Sequence, residues 1–198
     1  MSQCEVSGKQ GKEGVTFVVE DKDGFRFAVK MFKKTKSSRK IQKEAEMQED
    51  AARVGVSPRV FAVNLTEKFI VMECLKETIV DHVRQGCADK SRVELSGTHQ
   101  NRLIEICDRL DDVNIMQNDG NPLNLMVDDA GMLFVIDFGF AKRIDARLLR
   151  KRGPKPNTNT TLWHFQRSLQ KYRIGASKCE KRVEEYMKEF LSASKAGR

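Results

Sequence analysis

The chain has 198 residues, 39% of them hydrophobic and 32% charged, with a formal net charge of +8. That length suits one domain or one compact two-lobed unit with a real core, and the charge suits an acidic or phosphorylated partner. No stretch approaches the ~18–20 apolar residues of a membrane span, MSQCEVSGKQ is no secretory signal, and the five cysteines lack any Cys-x-x-Cys pair.

The expectation is therefore a soluble protein of the reducing intracellular space, cytoplasm and/or nucleus, neither secreted nor membrane-bound, with no disulfide framework or zinc site. Along the chain, GVTFVVEDKDGFRFAVKMF holds two alternating runs about an Asp/Gly turn, which predicts a hairpin. Phe25, Phe27, Val29 and Met31 share one strand face, the expected core side; Arg26, Ala28 and Lys30 share the other. A basic loop, KKTKSSRK, leads into RKIQKEAEMQEDAARVG, a helix stopped by Gly55, with Ile41, Ala45 and Ala52 as a weak apolar stripe. Strand character returns at Val60–Val63 and Phe69–Met72. A second helix follows with Leu103, Ile104, Cys107 and Leu110 on one face. RIDARLLRKRGPKPNTNT reads as a basic linker. Two helices close the chain, marked by Leu162, Phe165, Leu169 and Tyr172, then by Cys179, Val183, Tyr186, Met187 and Phe190. Trp163 and Phe165 are expected to anchor the first.

The chemistry concentrates in QNDGNPLNLMVDDAGMLFVIDFG, residues 117–139. LNLMV, DDAG and MLFVI predict a tight hairpin about Ala130 that brings Asn124 almost opposite Asp137. An amide oxygen and a carboxylate at the mouth of a buried strand suit magnesium. Asp119 sits on the loop leading in and can take a proton from a hydroxyl. Metal oxygens, a base and a cation for the phosphates make the minimal kit for phosphoryl transfer. Any one of these residues alone would be a turn former. The ordered set is what points to a site.

These motifs resemble the protein-kinase-like superfamily: NDGNPLN resembles the catalytic loop, DFG the metal-binding signature and FAVK the V-A-I-K strand. The resemblance implies an α+β, two-lobed kinase-like fold over residues 1–198, with a β-rich N-lobe at about 1–74 and a reduced, mainly helical C-lobe at about 75–198. It implies ATP and Mg2+ as cofactors. Catalysis falls to Asp119 as base with Lys30 and Glu44 as ion pair. Gly11, Gly14, Ala28, Lys30, Glu73 and Cys74 bind nucleotide, with MECL as the adenine hinge, and Asn124 and Asp137 hold the metal. Within the superfamily, QGKEGVTF and KEAEMQEDAARVGVSPRV look like the small kinase of the KEOPS complex and then the Rio kinases; compact viral kinases have a similar build. Three departures stand out: Gln117 replaces the usual His, Asn121 replaces the usual Lys, and Gly8, Gly11 and Gly14 are spaced G-x-x-G-x-x-G.

The function expected from this is ATP- and magnesium-dependent phosphorylation of protein Ser/Thr, autophosphorylation included. A kinase-fold ATPase serving an RNA or ribonucleoprotein process and a pseudokinase interaction module are the alternatives. Arg150, Lys151, Arg152 and Lys155 suit an acidic protein substrate or RNA.

Overall fold

The computed structural model describes residues 9–10, 13–85 and 93–174. The chain begins with a sheet of five antiparallel strands: β1 (Lys9–Gln10), β2 (Gly14–Glu20), β3 (Arg26–Phe32), β4 (Val60–Asn64) and β5 (Phe69–Glu73), in the order β1-β2-β3-β5-β4. The β2–β3 turn is the predicted one. The Asp21 carboxylate accepts the backbone N–H groups of Asp23 and Phe25, and Gly24 takes a positive φ of 84° that glycine adopts without a Cβ penalty.

Helix α1 (Ser38–Arg53) covers one face of this sheet. The face it covers is not the one with the most apolar residues. Phe32 of β3 and Ile70 and Met72 of β5 pack on Ile41 and Ala45, with Ala28 beside them. The Phe25–Met31 face turns outward instead: Phe25 is 66% exposed, Met31 is 43% exposed, and Phe27 meets Phe61 edge to face at 5.5 Å. An antiparallel sheet can leave one face to solvent. The helix selects the side where small Ala28 leaves room and Lys30 finds a carboxylate. The buried stripe of α1 also differs from the expected one. It runs through Ile41, Glu44, Ala45, Met47, Gln48 and Ala51, and Ala52 is only half-buried.

The rest of the chain surrounds a larger core. It contains β6 (Glu77–Thr78), α2 (Ile79–Gln85), α3 (Gly97–Asp112), β7 (Ile115–Met116), β8 (Leu125–Val127), β9 (Leu133–Val135), β10 (Lys142–Arg143), α4 (Ala146–Arg152) and α5 (Leu162–Lys171). Met47 and Ala51 of α1 join this second cluster, so one helix seals both. The β8–β9 hairpin has the predicted register, Leu125 opposite Val135 and Val127 opposite Leu133. On α3, Leu103, Cys107 and Leu110 are buried with Ile106, while Ile104 is only partly so. Ser96 caps α3 by accepting the His99 N–H. Among the described residues no helix is long and apolar enough to cross a membrane.

The expected basic linker is ordered structure. Residues Ala146–Arg152 form α4, capped by the Asp145 carboxylate, and Asn157–Thr161 form a π-helical turn that runs into α5. Asn157, Thr158 and Thr161 are buried. The polarity of Asn157 and Thr158 serves an internal network rather than solvent, whereas the buried Thr161 hydroxyl has no partner among the described residues. Asp111 at the end of α3 accepts the backbone and side-chain N–H of Asn157 at 2.9 and 2.7 Å and the Thr158 N–H at 3.3 Å. Lys155 turns back onto Asp108 at 2.7 Å, which holds its ammonium above the ordinary lysine value, so it does not extend the basic surface of α4. Of the two proposed anchors, Phe165 is buried, but Trp163 is 40% exposed beneath the Arg167 guanidinium. The expected final helix from Cys179 to Phe190 lies outside the described residues.

Replacing Asp111 by Ala orphans buried donors on Asn157 and Thr158. The expected cost is about 2–4 kcal/mol. Asp111→Asn, which keeps one acceptor oxygen, is expected to lose less. Urea unfolding of both variants measures the difference, and an unchanged midpoint for Asp111→Ala would remove the network from the account of stability.

Candidate active site

The site is organised by a run of alternating charges. Lys30 lies mid-strand on the covered face of β3, and its ammonium reaches Glu44 Oε1 at 2.6 Å and Asp137 Oδ1 at 2.9 Å. The other oxygen of Glu44 accepts from Lys36 at 2.6 Å, and Lys36 also reaches Glu13 Oε2 at 2.5 Å. The order is thus Asp137, Lys30, Glu44, Lys36, Glu13. Both ammonium groups also lie over the Phe32 ring, 4.4 Å from its centroid for Lys36 and 5.3 Å for Lys30. Glu44 is 2% exposed and the side chains of Lys30 and Lys36 are 13% and 8% exposed, so this is a desolvated network. Burial alone would lower the Lys30 pKa; Glu44 and Asp137 outweigh it and hold the ammonium above its ordinary value. For Asp137, burial pushes upward, but the Lys30 ammonium and the Gly139 N–H bring the carboxyl below its ordinary value.

Asp137 is placed by the β8–β9 hairpin. The Ile136 N–H donates to the Asn124 carbonyl at 2.8 Å, which sets the two strand ends side by side. Asp137 then adopts φ 62°, a left-handed conformation that costs a non-glycine residue roughly 1–3 kcal/mol. Its Oδ1 is occupied by Lys30 and by the Gly139 N–H at 3.2 Å, while Oδ2 accepts no bond from the described residues. Asn124 gives its amide N–H to Asp119 Oδ2 at 2.9 Å, which turns its own amide oxygen away. One carboxylate oxygen and one amide oxygen are therefore left for a hard cation, a donor pair that fits magnesium.

Asp119 is held by the loop around it. Its Oδ1 accepts the Asn121 N–H at 3.2 Å, and its own N–H donates to Gln117 Oε1 at 2.6 Å. The fully buried Gln117 also donates its amide N–H to the Asp137 carbonyl at 3.3 Å. Gln117 thus links the base candidate to the metal candidate, a function the missing histidine need not supply. Asn157 supports the same loop by accepting the Gln117 N–H at 2.9 Å. Gly120 packs against α5 so closely that a Cβ there would lie 2.3 Å from the His164 Cβ. Asn121 spends its side-chain oxygen on the Leu123 N–H at 3.2 Å.

The expected nucleotide-binding residues are distributed unevenly. Ala28 and Met72 are cross-strand partners on the Lys30 face. The Glu73 side chain turns to the opposite face, onto Arg59, and its N–H is taken by the Arg59 carbonyl at 2.9 Å. Cys74 is half-buried at the end of β5; burial raises its thiol pKa, with Arg26 opposing and Asp129 assisting. At Gly14 a Cβ would lie 2.0 Å from the Met31 carbonyl oxygen, so strand pairing alone requires glycine there. Gly11 lies outside the described residues. Glu13 and Lys36 escaped the sequence reading. Glu13 lies within QGKEGVTF, of which only the glycines were singled out, and Lys36 sits in a basic loop with no motif; only the folded chain brings them to Glu44. A cleft of about 360 Å³, lined by Asp119, Asn121, His164 and Lys171 among others, opens beside the catalytic-loop candidate.

A mixed α+β chain with a strand lysine paired to a helix glutamate and to the aspartate of Asp-Phe-Gly is of the protein-kinase-like kind. The ABC1 atypical kinase-like domain matches residues 33–152, more than half of the chain, and the protein belongs to that family. The match takes in Lys36, Glu44, Asp119, Asn124 and Asp137; it begins after Lys30. It supports the superfamily and does not extend to the KEOPS and Rio kinases. No curated protein matches.

Glu44→Ala leaves two buried ammonium groups without their shared partner. It is expected to cost about 3–5 kcal/mol. Lys30→Met leaves Glu44 on Lys36 and is expected to cost clearly less. Unfolding titrations rank the pair, and the reverse order would show that Lys36 does not support Glu44.

Proposed function

We propose that this ABC1-family chain binds ATP with magnesium at the Lys30–Asp137 site and transfers the γ-phosphoryl group to a protein Ser/Thr hydroxyl, its own included. The single observation that carries this reading is the Lys30 ammonium, bonded at once to Glu44 of α1 and to Asp137 beside the Asn124–Asp119 pair. Lys30 would bind the α/β-phosphates, Ala28 would flank adenine, and the backbone at Glu73 and Cys74 would meet its polar edge. Magnesium held by Asn124 and Asp137 would neutralise phosphate charge. Asp119 would accept the proton of the incoming hydroxyl, with Asn124 and the Asn121 N–H fixing its carboxylate. On this reading the five-stranded sheet with α1 forms an N-lobe, the remainder a C-lobe, and nucleotide lies between them. The exposed basic residues of α4, Arg150, Lys151 and Arg152, would attract an acidic acceptor, so transfer to such a protein should weaken with salt more steeply than nucleotide affinity does.

A second reading, ATP hydrolysis in support of an RNA or ribonucleoprotein process, is favoured by Asn121. Its side chain is tied to the Leu123 N–H, so the loop offers no cation beside Asp119 for the transferred phosphoryl.

Incubation with labelled ATP and magnesium, followed by separation of phosphoprotein from free phosphate, decides between them. Asp119→Asn should keep nucleotide affinity and lower turnover by about 10²–10⁴. Asp137→Ala should instead abolish the magnesium-dependent part of the thermal shift given by ATP. Wild-type turnover in the first variant, or an unchanged shift in the second, would remove the assigned role.

A further inference from the structure

Lys36 and Glu13 have no part in the roles assigned so far, yet they occupy the centre of the site. The Lys36 ammonium is as buried as a core residue and touches two carboxylates, one on α1 and one on the segment before β2. Glu13 is fixed there twice, by its carboxylate on Lys36 and by its carbonyl, which accepts the Lys33 N–H at 2.9 Å. Its carboxylate lies directly on the Asp137–Gly139 turn: a Cβ on Gly139 would lie 2.7 Å from Glu13 Oε2 and 3.2 Å from Asp137 Oδ1. Oxygens of Glu13, Glu44 and Asp137 all lie within 4.8 Å of one another.

Three carboxylates and two ammonium groups give this cluster a net charge of −1, which opposes a polyphosphate. With the Glu13 carboxylate withdrawn, Glu44 and Asp137 are balanced by Lys30 and Lys36, and Lys36 has a bonding position free for another anion. A surface ion pair would have no reason to be folded onto the one turn that carries the metal candidate. We propose that Glu13 stands in for a nucleotide phosphate, and that Lys36 is a second phosphate-binding cation beside Lys30, released when the triphosphate displaces the Glu13 carboxylate. This rests on the nucleotide reading above and adds to it the residue that takes the additional phosphate charge.

Equilibrium binding of adenosine, ADP and ATP, each with magnesium, to the full chain and to Glu13→Gln, Lys36→Met and Lys36→Arg tests it. Glu13→Gln keeps the shape of the side chain and removes its charge. It should tighten ATP by about tenfold, ADP by less and adenosine not at all, as expected when the competitor for the Lys36 ammonium loses its charge. Lys36→Met should weaken ATP by a similar factor with adenosine unchanged, Lys36→Arg should restore most of the loss, and Glu13→Gln should give no gain in the Lys36→Met background. Adenosine and ATP shifting equally, or Glu13→Gln binding ATP no tighter than wild type, overturns the proposal and leaves the nucleotide reading standing. Failure of the wild type to bind any of the three overturns both.

Discussion

A buried carboxylate needs charged or hydrogen-bonding partners, and Glu44 is met by two cations. That requirement fixes much else. It draws β3 against α1 through Lys30 and draws the loop before α1 back over the helix through Lys36. Through Lys30 it also reaches Asp137, 107 positions away in sequence. Were Glu44 apolar, the two lysines would have no reason to converge, and the Lys30–Asp137 pair would lose its tie to α1.

Helix α1 is the mechanical counterpart of that interaction. Ile41 and Ala45 pack under the sheet, and Met47 and Ala51 pack with α2, α3 and the β8–β9 hairpin. Glu44 and Gln48 lie between the two sets. Gln48 gives its amide N–H to the Pro58 carbonyl at 3.2 Å, so the helix is also tied to the segment entering β4. A shift of α1 along its axis would disturb both hydrophobic clusters and the charge network together. Close-packed interiors resist such shifts.

The parts of this arrangement legible in the sequence were those whose chemistry is local. Asp119, Asn124 and Asp137 could be placed together because a hairpin of known register separates them. Glu44 was reached through the kinase resemblance, and the fold agrees: Glu46 points outward, where it bonds Gln42 at 3.0 Å. Other features were settled only by tertiary contact. The covered face of β3 could not be read from counting apolar residues, because the face with fewer of them holds Lys30. The Asn157–Thr161 turn looked like a linker because its polar side chains resemble loop residues, yet they face Asp111 and Gln117 inside the protein. Lys36 carries no signature of its position, and Glu13 lies in a segment of which only the glycines were singled out. Their meeting depends on how two loops cross.

The contact between Gly120 and α5 sets a limit on how small a working unit cut from this chain can be. The family match ends at Arg152, whereas the helix against which the Asp119 loop rests begins at Leu162. A fragment trimmed to the matched span would keep Asp119, Asn124 and Asp137 but lose Asn157 and the His164 backbone. Its Asp119 loop would then be open to water on the side that the intact chain closes. The boundary of recognisable sequence and the boundary of the supporting structure thus fall at different places.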